Sequence, residues 1–247
     1  MLDCSLLVCT KNSSKTIISC LESSLPILKA NAELILVDGS SQDNTIELVK
    51  DFLNQNDIVN FKLITQLKPG LYEAFNLAID SATRKKLFFL HSDDMLKCSD
   101  KVMKDIHYCN SDVIFYGIEI EGKFFKRKWH VKSINSINVK AMKIPPHVGV
   151  LANKSVYTQI GKFNTNYKIA GDFDWMLRLL NSKNLSFTFS NEIIYTMKAG
   201  GVSNSGFVSE IKKLFEDIKI IKIHGYNFPV FRAIYKKINK VLQLEKM

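Results

Sequence analysis

The feature that most constrains the fold of this chain is a regular alternation of short apolar runs with amphipathic stretches. Five apolar runs of strand length occupy residues 4–10, 32–38, 58–64, 85–91 and 111–117. Helical patterns separate them, at about residues 14–29, 43–54, 71–82 and 99–109. Strands that alternate with helices in this way build a mostly parallel sheet flanked by helices. The sequence therefore predicts an α/β fold.

The pattern changes after the fifth apolar run. Residues 118–131 alternate as in a β-hairpin, and residues 172–184 have the apolar spacing of a helix. From residue 206 onward the chain is helix-like, basic and apolar, and Pro229 predicts a break between two helices there. We interpret this change as a change of role within one domain, which a helical extension follows.

The composition narrows the class of protein. Against 24 Asp and Glu residues stand 34 Lys and Arg residues, which leaves a net charge of +10. Such an excess predicts an anionic partner (a nucleotide, a phospholipid surface or a nucleic acid), with solubility alone as the alternative. The basic residues do not interleave with aromatic residues as a stacking platform requires, so we expect no nucleic-acid partner.

Cysteine use and hydropathy indicate the compartment. The five cysteines are scattered, odd in number and without CxxC spacing, which disfavours zinc sites and disulfide frameworks and favours a reducing cytoplasm. No apolar run approaches the roughly 20 residues needed to span a bilayer, and the N-terminal residues lack the pattern of a signal peptide. We therefore expect a cytoplasmic protein.

Polar residues directly follow four of the predicted strands. Because ligands of parallel α/β sheets bind beyond the carboxyl ends of the strands, these residues are candidate binding residues. They are Thr10, Lys11 and Asn12; Asp38, Gly39, Ser40 and Ser41; Gln66, Leu67 and Lys68; and His91, Ser92, Asp93 and Asp94. An acid such as Asp38 can accept hydrogen bonds from a ribose hydroxyl or a base N–H. The alternative for Asp38 is an ordinary turn that caps the following helix.

Two adjacent carboxylates, Asp93 and Asp94, follow the fourth predicted strand. Neighbouring negative charges repel each other and are most easily tolerated beside a positive charge. Successive strand residues point to opposite sides, so only one of the two aims directly at a given ion. Oxygen ligands at a strand end suit Mg²⁺ or Mn²⁺, which one or two carboxylates and substrate phosphates hold. A surface turn followed by a helix cap is the alternative.

Four segments, in this order and spacing, resemble glycosyltransferase family 2, and most closely its bacterial members that build surface polysaccharides. The segments are "LLVCTKN" (6–12), "ELILVDGSSQDNT" (33–45), "KPGLYEAFN" (68–76) and "LFFLHSDD" (87–94). The resemblance covers roughly residues 4–203. It implies a GT-A-type, Rossmann-like, mostly parallel sheet flanked by helices, with a C-terminal helical extension.

The same resemblance implies how the chain divides. Residues 1–205 would form the GT-A domain, with a nucleotide-binding half at about residues 1–117 and an acceptor half at about residues 118–205. Residues 206–247 would form the basic amphipathic extension.

Residues 145–179 are similar to the acceptor-side segment of that family, in which an acid pair precedes a helix. Where the family often has Glu-Asp, this chain has Gly171 and Asp172. The match makes Asp172 the candidate catalytic base. A helix N-terminus stabilises a carboxylate as an anion, and a base needs to accept a proton as the new bond forms. A plain helix N-cap is the alternative for Asp172.

The resemblance also implies roles for the other site residues. Asp94 would hold the metal ion, and His147 would be a further metal contact, with a structural histidine as the alternative. Donor binding would fall to Thr10, Asn12, Asp38, Lys68, Ser92, Asp93, Gly200 and Gly201. For Lys68 a solvated loop lysine is equally compatible with the sequence.

These implications add up to an expected activity. The protein would be an inverting, Mn²⁺- or Mg²⁺-dependent glycosyltransferase that moves a sugar from a nucleotide-diphosphate sugar, with UDP the expected nucleotide, to a glycan or lipid-linked acceptor. The product would belong to a bacterial capsule, O-antigen (lipopolysaccharide) or exopolysaccharide. One alternative is an inactive nucleotide-sugar-binding or scaffolding protein, which Gly171 favours. Another is a nucleotidyltransferase, which shares the α/β plan and metal use.

The C-terminal stretch suggests a further partner. Residues 210–247 contain nine Lys or Arg residues against four Asp or Glu residues, interspersed with apolar residues. A basic amphipathic stretch can lie on an anionic membrane surface, which would place the enzyme at the inner face of the cytoplasmic membrane. The alternative is a helix pair that packs on the domain or on another subunit, so oligomerisation stays open.

Overall fold

The apolar runs of the first half form strands of a ten-stranded sheet with helices between them. The computed structural model describes residues 2–122, 125–131, 133, 137–198, 207–241 and 244–246. The elements of the first half are β1 (Cys4–Thr10), α1 (Ile17–Lys29), β2 (Glu33–Asp38), α2 (Thr45–Gln55), β3 (Phe61–Thr65), α3 (Leu71–Ser81), β4 (Lys86–Phe89), β5 (Met95–Leu96) and α4 (Ser99–Tyr108).

The second half adds strands, several of them antiparallel, and the remaining helices. Its elements are β6 (Val113–Glu121), β7 (Phe125–Trp129), a 3-10 turn (His147–Gly149), β8 (Val150–Asn153), α5 (Lys154–Gln159), α6 (Gly171–Asn181), β9 (Phe187–Lys198), α7 (Phe207–Ile223), α8 (Pro229–Val241) and β10 (Leu244–Lys246). The strand order is β10-β7-β6-β8-β4-β1-β2-β3, and β9 pairs with β5 and β6. The predicted α/β fold with a helix-flanked sheet is confirmed.

The central strands of the parallel part of the sheet are buried on both faces, which explains why their sequences are apolar throughout. Every residue of β2 and β4 is buried, and β1 is buried except for one half-buried position. β1 runs parallel to β2 and β4, and β2 runs parallel to β3. β3 lies at the edge, begins three residues later than the apolar run predicted, and exposes Phe61. The carboxyl ends of all four strands therefore meet at one edge.

An aromatic cluster lies beneath that edge and joins the two halves. The ring centroids of Phe75 and Phe89 are 4.9 Å apart, and those of Phe163 and Trp175 are 5.5 Å apart. Phe75 and Phe163 are themselves 5.2 Å apart, edge to face. Such pairs add to the apolar burial that holds a core together. The cluster thereby fixes α3 and β4 against α6.

The C-terminal helices pack on the domain with one face. Ile220 and Ile221 of α7 and Ala233 of α8 are fully buried in the core. Pro229 is the first residue of α8, a position that needs no backbone N–H, so the predicted break is confirmed. The extension is not purely helical, because β10 returns to pair antiparallel with β7. Among the described helices, none is both long enough and apolar enough to cross a bilayer.

Candidate active site

Two neighbouring loops, after β1 and β2, carry the first group of predicted donor-binding residues. Asp38 ends β2, is buried, and accepts a hydrogen bond of 2.9 Å from the backbone N–H of Ser41. Asn12 has a left-handed backbone, with φ of 52°. Its N–H donates to Ser41 Oγ at 2.8 Å, and its Oδ1 accepts from the N–H of Gln42 at 2.8 Å. Asp38 therefore shapes its own loop, and Asn12 joins the loop after β1 to the loop after β2.

Thr10 and Lys68 lie near the same edge of the sheet, but Thr10 is buried and Lys68 is exposed. Thr10 is paired in register with Asp38, and its buried Oγ1 has no hydrogen-bond partner within the described part of the chain. A buried hydroxyl without a partner is unusual, so Thr10 Oγ1 is available to a ligand. Lys68 is exposed in the turn before α3. Gln66 Nε2 closes that turn by donating to the carbonyl oxygens of Lys68 and of Gly70, the latter at 2.7 Å.

The acid pair after β4 has one buried member and one half-buried member. Asp94 is buried, and Asp93 is half-buried. Asp94 Oδ2 accepts from the hydroxyl of Tyr195 at 3.1 Å, and Oδ1 accepts from the backbone N–H of Lys198 at 3.2 Å. Burial, with the charge of Asp93, raises the pKa of Asp94 to about 7. The hydrogen bonds to Asp94 and the positive charge of Lys198 act in the opposite direction and offset this effect only in part.

Asp94 fits a divalent cation. Its ionised form is unfavourable here unless positive charge is added, and each carboxylate oxygen has lone pairs beyond those used by Tyr195 and Lys198. No cluster of three or more His, Cys, Asp or Glu side chains suited to a metal is found among the described residues. Mg²⁺ and Mn²⁺ sites that include substrate phosphates need only one or two carboxylates, so the residues present are compatible with such an ion.

Ser92 connects the acid pair to the first loop. It is buried, and its Oγ lies 2.9 Å from Ser13 Oγ, in the loop after β1. On the other side, the backbone N–H of His91 donates to the hydroxyl of Tyr195 at 2.9 Å. The "HSDD" segment (91–94) is thereby bonded both to the loop after β1 and to β9.

His91 and His147 form a pair of rings between the acid pair and α6. Both ring centroids lie 5.5 Å from that of Phe75, and they lie 5.5 Å from each other. Burial lowers the pKa of His91, while the charges of Asp93 and Asp172 act in the opposite direction. His91 is therefore close enough to sense the charge of both carboxylates.

His147 lies beside the candidate base. Its Nδ1 is 4.0 Å from Asp172 Oδ2, and its buried Nε2 has no hydrogen-bond partner among the described residues. Burial, with the neighbouring His91, lowers the pKa of His147 to about 3. His147 is thus neutral near pH 7 and forms no ion pair with Asp172.

Asp172 is in the first turn of α6, where the helix dipole stabilises an anion. Its Oδ1 accepts from the N–H of Phe173 at 2.8 Å and lies 3.4 Å from the hydroxyl of Tyr72. Tyr72 donates its main hydrogen bond to the carbonyl oxygen of Ile169, at 2.7 Å. The side chain of Asp172 is 39% exposed, so an acceptor hydroxyl can reach it.

The glycine before Asp172 has a packing cause. A Cβ atom at Gly171 would lie 2.7 Å from Cε2 of Tyr72, closer than real Cβ contacts. The Tyr72 ring therefore occupies the volume that a larger residue 171 would need. Gly171 does not by itself indicate a lost site.

Glu216 of α7 supports the segment that leads into α6. Its carboxylate accepts from the backbone N–H groups of Lys168, Ile169 and Ala170, at 2.7, 2.9 and 2.8 Å. A second link joins α6 to the end of α7, since His224 Nε2 lies 3.0 Å from Asp174 Oδ1. The C-terminal extension thus holds the backbone on which Asp172 is mounted.

The structure brings most of the predicted residues to one edge of the sheet and leaves two undescribed. Gly200 and Gly201 lie outside the described residues. Sequence reasoning missed Tyr72, Tyr195 and Glu216. A tyrosine within an apolar strand signals a buried hydroxyl that needs a partner, which points to Tyr195. No sequence signal singles out Glu216.

Sequence comparison places the chain among enzymes of sugar transfer. The chain is similar to an Escherichia coli protein named UDP-Glc:alpha-D-GlcNAc-diphosphoundecaprenol beta-1,3-glucosyltransferase WfaP. The two are 24% identical over 228 aligned residues, and the alignment covers 90% of this chain and 86% of that protein.

Two solved structures share the fold. TarS of S. aureus, residues 1–349 in complex with UDP-GlcNAc, superposes with a TM-score of 0.67 at 20% identity, over 93% of this chain and 69% of that chain. The mannosyltransferase PcManGT of Pyrobaculum calidifontis, in complex with GDP-Man and Mn²⁺, gives a TM-score of 0.65 at 16% identity, over 94% of this chain and 68% of that chain. These likenesses support the GT-A fold.

The family assignment comes from the model for glycosyl transferase family 2, which matches residues 5–181. That range contains β1 except its first residue, β2 to β4, the acid pair and all of α6, so the match covers both carboxylate groups of the site. The protein is a glycosyltransferase that belongs to glycosyl transferase family 2.

Proposed function

We propose that this protein transfers a sugar, with inversion and with the help of a divalent cation, from a nucleotide-diphosphate sugar to a hydroxyl of a glycan or lipid-linked acceptor. One observation carries the proposal. The ring of His91, two residues before Asp93, lies 5.5 Å from the ring of His147, and His147 Nδ1 lies 4.0 Å from Asp172 Oδ2. This pair of rings lies between the donor-side acids and the candidate base, so we infer that the two groups face a common space. A donor in that space would lie between the group that holds its diphosphate and the group that activates the acceptor.

The donor would lie along the carboxyl ends of the parallel strands. Asp38 accepts hydrogen bonds from the base or ribose, Thr10 offers its free hydroxyl, and Asp93 contacts the ribose or the donor sugar. The other contacts proposed from the sequence are Asn12, Lys68, Ser92, Gly200 and Gly201. Bound Mn²⁺ or Mg²⁺ neutralises charge on the diphosphate, and Asp94 is the residue that would hold it.

Asp172 would act as the general base. As the acceptor oxygen forms its bond to the anomeric carbon, the acceptor proton passes to the Asp172 carboxylate, and the bond from that carbon to the diphosphate oxygen breaks. Attack from the face opposite the leaving group inverts the configuration. Neutral His147 lies beside Asp172 without pairing with its charge. The metal contact that the sequence proposed for His147 stays a prediction.

The nucleotide and acceptor classes are supported by the relatives. The name of the E. coli relative specifies UDP-Glc and a GlcNAc-diphosphoundecaprenol, and the S. aureus structure contains UDP-GlcNAc. The mannosyltransferase structure contains Mn²⁺ with GDP-Man. We therefore propose a UDP-sugar donor, Mn²⁺ as the first ion to test, and an acceptor of bacterial surface polysaccharide biosynthesis. The cytoplasmic location remains a prediction.

The test begins with thermal unfolding of the full chain in the presence of UDP, GDP and other nucleoside diphosphates, with and without Mn²⁺. A ligand that binds the folded state raises the midpoint, and the proposed donor nucleotide should do so most strongly with Mn²⁺. Asp94→Asn should abolish the Mn²⁺-dependent part of this shift. Asp51→Asn, an exposed change on α2, is the matched control and should leave it intact.

The responding nucleotide then identifies the donor sugars for a transfer assay that records both products. The proposal expects release of a nucleoside diphosphate and a glycoside of inverted anomeric configuration. Nucleotide binding without transfer to any glycan or lipid-linked acceptor would favour the inactive binding protein. Release of pyrophosphate would identify a nucleotidyltransferase, and a retained configuration would contradict the single displacement.

A further inference from the structure

The outer side of α8 carries apolar residues that face solvent. Phe231, Ile234, Tyr235 and Ile238 are spaced as one stripe of a helix, and their exposed fractions run from 41% for Tyr235 to 70% for Phe231. Helices of globular proteins ordinarily turn such a stripe toward the core. In α8 the arrangement is reversed. We call these four residues the outer stripe.

The side of α8 that faces the protein confirms the reversal. The residues buried there are Ala233 and Lys236, and a lysine is among the residues least often buried. Lys236 Nζ is 2.6 Å from Asp217 Oδ1 of α7 and 3.3 Å from the centroid of the Phe173 ring. α8 is therefore attached through a charged pair, and its apolar residues are left for another surface.

The outer stripe continues into a neighbouring hollow, and α7 has exposed apolar residues of its own. Phe228, at the start of α8, is 75% exposed and lines a shallow hollow together with Phe231, Tyr235 and the exposed Lys140. On α7, Val208, Ile211 and Phe215 are also exposed, at helical spacing. An exposed apolar area of this extent on a soluble fold indicates a contact surface.

The charges of the helix pair favour an anionic partner. Glu210 pairs with Lys237 at 3.1 Å, and Asp217 pairs with the buried Lys236. Glu216 is engaged by three backbone N–H groups of the loop before α6. Glu210 and Asp217 are thus paired with lysines of α8, and the carboxylate of Glu216 is occupied by hydrogen bonds within the protein.

Three of the four lysines of α7, in contrast, are exposed. Lys212, Lys219 and Lys222 are exposed, and the described part of α8 contributes Arg232 beside the outer stripe. The surface that the pair presents to solvent is consequently both apolar and positively charged.

We propose that the outer stripe docks on an anionic phospholipid surface, with positive charge supplied by Lys140 and Arg232 beside it and by the exposed lysines of α7. Aromatic and aliphatic side chains would enter the boundary between headgroups and acyl chains, and the lysines would remain among the headgroups. A second copy of this chain is a poorer occupant, because two-fold contact through the same face would bring like charges together. Docking itself does not depend on the proposed function. Its consequence does, namely that the enzyme would meet a lipid-linked acceptor at this surface.

The helix pair of α7 and α8 lies next to the acceptor side of the site. Lys236 contacts Phe173, the neighbour of Asp172, and Glu216 holds the loop that leads into α6. The proposed membrane surface is therefore attached to the acceptor side of the site.

Flotation of the full-chain protein with lipid vesicles tests the proposal. The wild type should bind vesicles of phosphatidylcholine with phosphatidylglycerol, bind pure phosphatidylcholine much more weakly, and lose binding in high salt. Phe231→Ser/Ile234→Ser should weaken binding by about tenfold or more, since each side chain contributes by burial of apolar area. The matched control is Val59→Ser/Tyr108→Ser, which removes two exposed apolar residues elsewhere.

A second variant separates charge from apolar contact. Lys212→Gln/Lys222→Gln leaves the outer stripe intact and should weaken binding to anionic vesicles by roughly tenfold. Absence of wild-type binding, equal binding to both lipid compositions, or equal losses in the outer-stripe variant and the control would each overturn the proposal.

Sedimentation in the absence of lipid addresses the other occupant. A dimer that the Phe231→Ser/Ile234→Ser change dissociates would assign the face to a second copy and overturn lipid docking. The flotation and sedimentation experiments do not require sugar transfer. A negative result in them would overturn lipid docking and leave the proposed catalytic function untouched.

Discussion

The donor side and the acceptor side of the site hold their carboxylates in different ways. Asp38 ends a buried strand and is held by the N–H of Ser41, three residues further along the chain. Asp172 lies near Tyr72, 100 residues away in sequence, and its loop is held by Glu216. The carboxylate of Asp38 is therefore held by its own loop, whereas that of Asp172 depends on segments that are distant in the sequence.

Asp94 stands between these two cases. Its own N–H closes a local turn to the carbonyl oxygen of His91, at 3.0 Å. Its carboxylate, however, receives hydrogen bonds from Tyr195 and Lys198 of β9, more than 100 residues away. The local sequence thus determines where Asp94 lies, whereas tertiary contacts determine its charge state.

The largest expected difference between the two sides is in the kinetics. Asp172→Asn should lower kcat by about 10²- to 10⁴-fold, since it removes the general base, with little change in the KM of the donor. Asp38→Asn should chiefly raise the KM of the donor. Steady-state kinetics of both variants check this division. Equal effects on kcat would contradict the separation of donor and acceptor roles.

The next effect concerns pH and Asp94. The folded protein holds the Asp94 proton with a pKa of about 7, against 3.8 in the unfolded chain, so stability falls as pH rises between those values. The loss amounts to at most about 4 kcal/mol. Asp94→Asn should remove this slope, and chemical denaturation of the metal-free protein near both ends of that range measures it.

A matched control for this measurement is Asp43→Asn. Hydrogen bonding, chiefly from Thr45, lowers the pKa of Asp43 to about 2, so its stabilising contribution is complete above its unfolded-state pKa. Its substitution should lower stability by the same amount at both pH values. A slope in the Asp94→Asn protein as steep as in the wild type would refute the burial effect.

Glu216→Ala tests whether the acceptor side depends on the extension. Three backbone N–H groups would lose a charged acceptor, which should cost about 3 kcal/mol of unfolding free energy. Because the loop before α6 would lose its support, kcat should fall by about tenfold while the KM of the donor stays unchanged.

Two further variants sharpen that test. Glu216→Gln, which keeps an acceptor oxygen, should recover part of kcat, and Glu47→Ala on α2 is an exposed control. A variant that is destabilised but keeps the wild-type kcat would limit Glu216 to a structural role.

The smallest expected effect is at Gly171. Gly171→Glu introduces the acid that the family resemblance implies at this position, but its Cβ would meet the Tyr72 ring, so unfolding free energy should drop by about 1–3 kcal/mol. Gly171→Glu in a Tyr72→Ala background should cost less than in the wild type, and thermal unfolding of this double-mutant cycle gives the coupling. Additive costs would show that Tyr72 is not the reason for the glycine.

The sequence alone predicted the fold class and the edge of the sheet where the site lies. The runs at residues 4–10 and 32–38 matched β1 and β2 closely, because strands buried on both faces are apolar throughout. Boundaries were less accurate at β3, an edge strand whose pattern mixes exposed and half-buried residues. The return of the chain as β10 had no local signal, since its strand partner β7 lies more than 100 residues earlier.

For the site, the sequence determined which acids follow which strands, because strand periodicity and chain order are local properties. Only the tertiary structure decided that Asp94 is the buried member of its pair, that His147 lies beside Asp172, and that Glu216 supports the loop into α6. Burial and charge pairing depend on atoms brought together from distant parts of the chain. For that reason the sequence placed Asp94 after its strand and Asp172 before its helix, while the protonation of Asp94 and the support of Asp172 were not predictable from it.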